Sequence, residues 1–185
     1  VFPIKEVSMG NHQHTSRDVL IQMAMSIDSN LLLLGYTESD SQFADVVVQK
    51  VSRAGHLIWD YRFDSPGKND YDQAVKMMQD GNGDIYVLVN AFGLASFQNL
   101  QESQGYLFKL NSDGHLLWQT AYDTLLPFHT AEWFHDGFFD ERGNLKVTYS
   151  CYQPFEARPS FFLKFDPESG ILLDSFSKFN ILQAY

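Results

Sequence analysis

Short apolar runs alternate with polar, glycine-bearing turns along almost the whole chain. The clearest example is the stretch 105–123, in which one apolar run meets the turn 111–114 and a second apolar run follows at once. Two strand-like runs joined by a short turn that contains glycine predict a β-hairpin. Similar stretches occur at 44–64 and 160–178, so the pattern predicts a tandem array of related units.

Each unit contains two further strand-like runs upstream of its hairpin, separated by a turn rich in Asp, Asn, Ser and Gly. The upstream pairs are predicted at 19–27 with 31–37, 72–79 with 85–91, and 131–139 with 145–152. Loops are expected at 38–43, 92–104 and 153–159, between the second and third strands of each unit. The order of four strands is the same in all three units.

The turn glycines give the length of the repeat. Gly55 and Gly114 are 59 residues apart, and Gly114 and Gly170 are 56 residues apart. The predicted repeats are 11–64, 65–123 and 124–179, with 1–7 as the last strand of a preceding or closing repeat. All of them belong to one repeat domain that covers 1–185.

Four antiparallel strands in a repeat of about 40–50 residues are typical of a β-propeller blade, which loop insertions lengthen here. Helical periodicity is weak, so the predicted fold class is all-β, with three four-stranded propeller blades. A β-trefoil is the compact three-fold alternative. Since closed propellers carry about 4–8 blades, three repeats are expected either to belong to a longer propeller or to pair with another subunit, for example in a homo-oligomer.

Composition narrows the classes of partner. Aromatic residues make up 15% of the chain and lie mostly in the strand-like runs, where flat side chains fill the space between stacked sheets. The formal charge of −10 repels phosphate groups, which disfavours nucleic acid and anionic lipid surfaces. The longest aliphatic run, 31–34, is far shorter than the roughly 20 residues that span a bilayer, so membrane insertion is not expected.

The hairpins share one phrase: an apolar strand that ends near Lys, a turn closed by Gly, and two aliphatic residues before Trp. It reads VQKVSRAGHLIW at 48–59 and LFKLNSDGHLLW at 107–118. The third copy, LKFDPESGILLD at 163–174, has one extra turn residue and carries Asp174 at the Trp position. This phrase resembles the propeller repeats of the quinoprotein-like (PQQ-like) and BamB-like bacterial families.

The resemblance implies β-propeller blades that bind a protein partner or further blades, in the bacterial cell envelope or outside the cell. It also implies that Trp59 and Trp118 dock on the neighbouring blade, with Gly55, Gly114 and Gly170 as structural turn residues. Asp174 would leave the third blade without this docking contact, as in a capping unit. The resemblance is specific for fold and not for function, because propellers host many activities.

Two metal-binding patterns fail on inspection. The turn 80–84 matches the start of a calcium loop, but Ile85 and Ala91 replace the Gly and Glu that such a loop requires. His12 and His14 share the spacing of a strand face, yet no third ligand lies nearby in the sequence. We therefore predict a plain hairpin turn, solvent-exposed histidines, and neither a metal site nor a cofactor.

No catalytic residue is predicted, and the chain is not expected to be an enzyme. Cys151, the only cysteine, lies in a strand-like run that predicts a buried thiol and not a nucleophile. The alternative is a carbohydrate-binding or glycoside-processing domain that uses a pair of carboxylates. The sequence does not give the spatial separation of the candidates, which are Glu102, Glu132, Asp136 and Asp140.

The most suggestive surface is the aromatic-rich region 127–139. Its candidate binding residues are Phe128, His129, Trp133 and His135, together with the loop 92–104. Loops and exposed aromatic residues on a rigid sheet often carry binding functions. The sequence thus favours a non-catalytic binding or scaffolding module that mediates protein–protein or ligand interactions.

Overall fold

A computed structural model describes residues 17–39, 42–66, 70–93, 103–122, 131–152 and 160–178, which form twelve β-strands. Within these ranges there is no helix of the length and apolarity that a membrane crossing needs. The strands are β1 (Arg17–Met25), β2 (Leu31–Ser39), β3 (Gln42–Val51), β4 (Leu57–Phe63), β5 (Asp70–Gln79), β6 (Ile85–Gly93), β7 (Ser103–Leu110), β8 (Leu116–Tyr122), β9 (Ala131–Phe139), β10 (Leu145–Tyr152), β11 (Ser160–Phe165) and β12 (Leu172–Lys178).

Consecutive strands pair antiparallel and form three four-stranded sheets: sheet 1 (β1–β4), sheet 2 (β5–β8) and sheet 3 (β9–β12). One parallel bridge, between Ser103 of β7 and Ala131 of β9, joins sheets 2 and 3. The predicted all-β class and the three four-stranded repeats are confirmed. The described strands form open sheets and do not close into a ring, so a propeller and a trefoil both stay predictions.

The two strands of the β2–β3 hairpin continue further than the sequence predicts. The expected loop 38–43 is wrong, because β2 runs to Ser39 and β3 begins at Gln42. Ser39 and Gln42 face each other in the ladder. Strand pairing here satisfies backbone groups, so polar side chains at the strand ends do not prevent it.

Sheet 2 is covered on both faces, and β6 shows why its sequence is a continuous apolar run. Alternate side chains of a strand point to opposite faces of the sheet. Val87 and its neighbours in alternation pack against sheet 1, while Tyr86 and Leu88 pack against sheet 3. All of these side chains are fully buried. The two larger clusters of the core therefore lie between sheets 1 and 2 and between sheets 2 and 3, and a smaller cluster of Leu33, Val47 and Val51 lies on the other face of sheet 1.

The far face of sheet 3 differs from the corresponding face of sheet 2. Lys146 and Thr148 of β10 occupy the register positions that Tyr86 and Leu88 occupy in β6. Both are partly exposed, whereas Tyr86 and Leu88 are fully buried. This face of sheet 3 thus mixes polar side chains with aromatic rings, because Phe138 pairs with Lys146 and is 48% exposed, and Phe162 pairs with Thr148.

Each tryptophan of the repeated phrase lies on the hairpin turn of the next sheet. Trp59 Nε1 donates a hydrogen bond to the carbonyl oxygen of Ser112, at 3.1 Å, and its ring covers Gly114. Trp118 Nε1 donates to the carbonyl oxygen of Pro167, at 3.3 Å, and its ring covers Gly170. A flat ring can approach these turns closely because glycine has no side chain.

Replacing Gly114 by Ala is expected to lower the free energy of unfolding by about 2–3 kcal/mol. Its φ of 84° is unfavourable for a residue with a Cβ atom, and that atom would lie 2.6 Å from Trp59 Cδ2. Gly143 is the matched control, because its φ is 76° but an added Cβ would meet no heavy atom within 4 Å. Gly143→Ala should cost only about 1 kcal/mol. Urea unfolding measures both variants, and equal losses would contradict the role of the docked ring.

Candidate binding site

The candidate binding residues from the sequence do not form one site in the described structure. Phe128 and His129 lie outside the described residues. Trp133 and His135 lie on β9, where Trp133 is half-buried and His135 is exposed, with its Nε2 atom 2.7 Å from the Ser150 hydroxyl. Both sit on the open face of sheet 3 and neither lines the cleft described below.

Part of the aromatic region serves to pack sheet 3 against sheet 2. Phe134, between the two candidates, is buried and its ring lies against Gly105 of β7. The Asn90 side chain accepts a hydrogen bond from Phe134 N at 2.8 Å and donates one to Phe134 O at 3.0 Å. This reciprocal pair satisfies buried polar groups of both sheets. Asn90 was not singled out in the sequence.

An open cleft of about 700 Å³ lies between β8 of sheet 2 and β11 and β12 of sheet 3. Four aromatic residues line it: Tyr122, Tyr149, Phe161 and Phe165. The Tyr122 ring meets Tyr149 edge to face at 5.0 Å and Phe165 edge to face at 6.2 Å. Such a size and lining are typical of small-molecule or side-chain binding sites.

Two positions at the cleft carry smaller residues than in the preceding pair of sheets. Between sheets 1 and 2, Tyr61 of β4 fills the equivalent space, and its ring lies 5.4 Å from that of Phe108. Strand register places Thr120 of β8 at the Tyr61 position and Leu163 of β11 at the Phe108 position. A threonine and a leucine leave open the volume that two aromatic rings occupy one sheet earlier.

None of the described residues that line the cleft is charged, and some of their polar groups already have partners within the chain. Thr120 Oγ1 donates to the carbonyl oxygen of Ala121, and Ser169 Oγ donates to Asp166. At its edge, Ile171 is 63% exposed. The arrangement therefore suits an apolar or aromatic group better than a charged one.

A second group of functional side chains lies at the junction of sheets 1 and 2. One carboxylate oxygen from each of Asp45, Asp64 and Asp72 lies within 4.8 Å of the others. Asp72 Oδ2 accepts a hydrogen bond from Ser65 N at 2.8 Å, and Arg62 Nη1 lies 3.2 Å from Asp45 Oδ2. No motif in the sequence indicates this cluster, since its members come from β3, the end of β4 and β5 and meet only where the two sheets join.

Burial dominates the electrostatics of this cluster. It raises the pKa of Asp72 to about 7, and the negative charges of Asp64 and Asp45 act in the same direction against the bonds from Ser65. Burial and the charge of Asp64 also raise the pKa of Asp45 above its ordinary value, although Arg62 opposes this. Asp45 and Asp72 thus resist ionisation, because each is removed from water beside other carboxylates.

The carboxylates of the glycosidase alternative are engaged elsewhere or lie outside the described side chains. Asp136 pairs with Lys76 at 3.0 Å, and the hydrogen bond with Lys76 lowers the pKa of Asp136. Asp140 accepts hydrogen bonds within its own turn, from the backbone N of Arg142 and Asn144. Glu102 and the Glu132 side chain are not among the described atoms. Asp136 and Asp140 therefore have evident structural roles.

Comparison of the sequence with protein-family models and with curated proteins finds no match. The resemblance to quinoprotein-like repeats accordingly stays a prediction based on the hairpin phrase.

Proposed function

We propose that this chain is a non-catalytic binding module and that the cleft between β8 and β12 accepts an aromatic side chain of a protein partner. The observation that carries the proposal is the difference between Tyr61 and Thr120, which hold equivalent positions in sheets 1 and 2. Tyr61 fills the equivalent space between sheets 1 and 2, whereas Thr120 leaves it open between sheets 2 and 3. A phenol-sized ring from another chain fits within the cleft of about 700 Å³ and suits its apolar lining.

The strands beside the cleft favour a peptide as the carrier of that ring. Among the described strands, β8 pairs only with β7 and β12 only with β11, so each has one edge without a strand partner. An extended peptide can hydrogen-bond along such an edge while its side chains enter adjacent pockets.

Filling the cleft with a ring from the chain itself should weaken the binding of a partner peptide. Thr120→Tyr restores the residue type found at Tyr61 and is expected to stabilise the fold by about 1 kcal/mol through buried apolar area. Peptides selected from a random displayed library on the wild-type protein should contain an aromatic residue and should bind Thr120→Tyr at least tenfold more weakly. Fluorescence anisotropy with labelled selected peptides measures this loss.

Thr148→Tyr is the matched control, because it adds the same ring on the open face of sheet 3, away from the cleft. It should leave peptide affinity unchanged. Selected peptides that bind Thr120→Tyr as tightly as the wild type would rule out the cleft as their site. A library that yields no binder on a folded protein would count against a peptide ligand altogether.

Carbohydrate binding is the second candidate, and the four aromatic rings of the cleft are the observation that favours it, since sugars stack on such rings. The uncharged and mainly apolar lining makes it the weaker candidate, because sugar hydroxyls need hydrogen-bonding partners. A glycan array on wild type and Thr120→Tyr separates the two. Glycan binding that is lost in Thr120→Tyr, without any peptide binding, would replace the peptide proposal.

A further inference from the structure

We infer that Asp45, Asp64 and Asp72 form a binding site for a hard divalent cation, with Ca²⁺ the best fit, at the junction of sheets 1 and 2. The inference is independent of the proposed cleft, which lies between sheets 2 and 3. Asp45 belongs to β3, Asp64 directly follows β4, and Asp72 belongs to β5. A cation held by all three would tie the first sheet to the second.

The spacing of the three carboxylates suits a single ion. Their nearest oxygens all lie within 4.8 Å of one another. Calcium binds oxygen ligands at about 2.3–2.6 Å, so two ligands on opposite sides of one ion are about 5 Å apart. All three oxygens can therefore reach one Ca²⁺ ion with little or no displacement of the backbone.

A buried carboxylate oxygen without a partner is a separate sign of a ligand. Asp72 is only 1% exposed, and its Oδ2 atom accepts the bond from Ser65 N. Its Oδ1 atom is buried and has no hydrogen-bond partner. Buried polar atoms in folded proteins are nearly always paired, because an unpaired one loses its hydration without compensation. A cation supplies the missing interaction.

The local charge agrees with a divalent ion. When a bound cation keeps all three carboxylates ionised, they and Arg62, which contacts Asp45 at 3.2 Å, carry a net charge of −2. Carboxylate oxygens without nitrogen or sulfur ligands select hard ions such as Ca²⁺ and Mg²⁺. Ca²⁺ accepts irregular carboxylate geometry, whereas Mg²⁺ demands a near-ideal octahedron and keeps several waters.

Calorimetric titration of chelator-treated full chain with CaCl₂, at constant ionic strength, tests the site. We expect a single Ca²⁺ site with a dissociation constant of about 10 µM to 1 mM, a range typical of sites with few carboxylates. Asp64→Asn should weaken Ca²⁺ binding at least tenfold. Asp64 is exposed, so this variant is expected to fold, and circular dichroism verifies that it does.

Asp136→Asn is the matched control, since Asp136 is an acidic residue of sheet 3 that is remote from the cluster. Its Ca²⁺ affinity should equal that of the wild type, as should that of Thr120→Tyr. Ca²⁺ should also raise the thermal midpoint of the wild type and not that of Asp64→Asn. Absence of Ca²⁺ binding in the millimolar range, or equal affinity in Asp64→Asn, would overturn the inference. Tighter binding of Mg²⁺ than of Ca²⁺ would overturn the choice of Ca²⁺.

Discussion

Replacing Lys109 by Met is expected to destabilise the protein by about 2–4 kcal/mol, because it removes the charge-assisted bonds that the buried ammonium makes to Asp84 and Glu168. The Lys109 side chain is 2% exposed, and its Nζ atom lies 3.0 Å from Asp84 Oδ2 and 3.4 Å from Glu168 Oε2. It also lies 5.0 Å from the centre of the Tyr86 ring. Burial alone would disfavour the charge, but the contacts with Tyr86 and Asp84 raise the pKa of Lys109 above its ordinary value.

Methionine keeps most of the chain length of lysine, so the loss measures the charge and its bonds and not an empty cavity. Lys164→Met is the matched control. Lys164 holds the same register position on β11, but it lies on the open face of sheet 3 and is partly exposed. It should cost no more than about 1 kcal/mol. Chemical unfolding measures both variants, and a loss at Lys109 as small as that at Lys164 would contradict this account.

In the presence of a chelator, the free energy of unfolding is expected to fall as the pH rises from about 4 to 7. The fall should amount to at most about 4 kcal/mol. The cause is Asp72, whose pKa burial raises from 3.8 to about 7 in the folded protein. Between these two values the folded chain holds a proton that the unfolded chain has lost. Stability from this group is therefore complete below pH 3.8 and is lost as the pH passes 7.

Asp45, Asp64 and Arg62 also face Asp72 or its neighbours, so a variant at Asp72 is needed to isolate its part. Asp72→Asn keeps the shape of the side chain and cannot ionise, so this component of the pH dependence should vanish. Urea unfolding at intervals between pH 4 and 8 measures the slope for both proteins. A wild-type profile that matches the Asp72→Asn profile would show that Asp72 is not the group responsible.

The sequence predicts the strands well because each unit pairs with itself locally. The hairpin around Gly114 has apolar runs and a turn that are all visible within 20 residues, and the structure places β7 and β8 there. The other strands were predictable because the same order of four apolar runs occurs three times. The doubly covered β6 is also visible as an uninterrupted apolar run.

The candidate sites depend on contacts between units, which the order of residues does not give. Asp45 and Asp72 are 27 positions apart and meet only because sheet 2 stacks on sheet 1. The cleft has a signal in the sequence, namely Thr120 at the position of Tyr61, but its meaning requires the strand register. The aromatic-rich region 127–139 was predicted to be a binding surface, but one of its members, Phe134, is a core residue, and the sequence alone does not distinguish a buried from an exposed aromatic residue.

Each of the first two units packs its tryptophan ring on the glycine turn of the following unit, so the stability of a longer chain depends on the order of its units. A second copy of residues 65–123, inserted before 124, would receive a tryptophan from the unit ahead of it and present its own to a glycine turn behind it. A copy of 124–179 at the same place would instead place Asp174 against the glycine turn of the next unit, where the other units place a tryptophan ring. Lengthening this protein by gene duplication or by design is therefore expected to succeed with the middle segment and to fail with the last one.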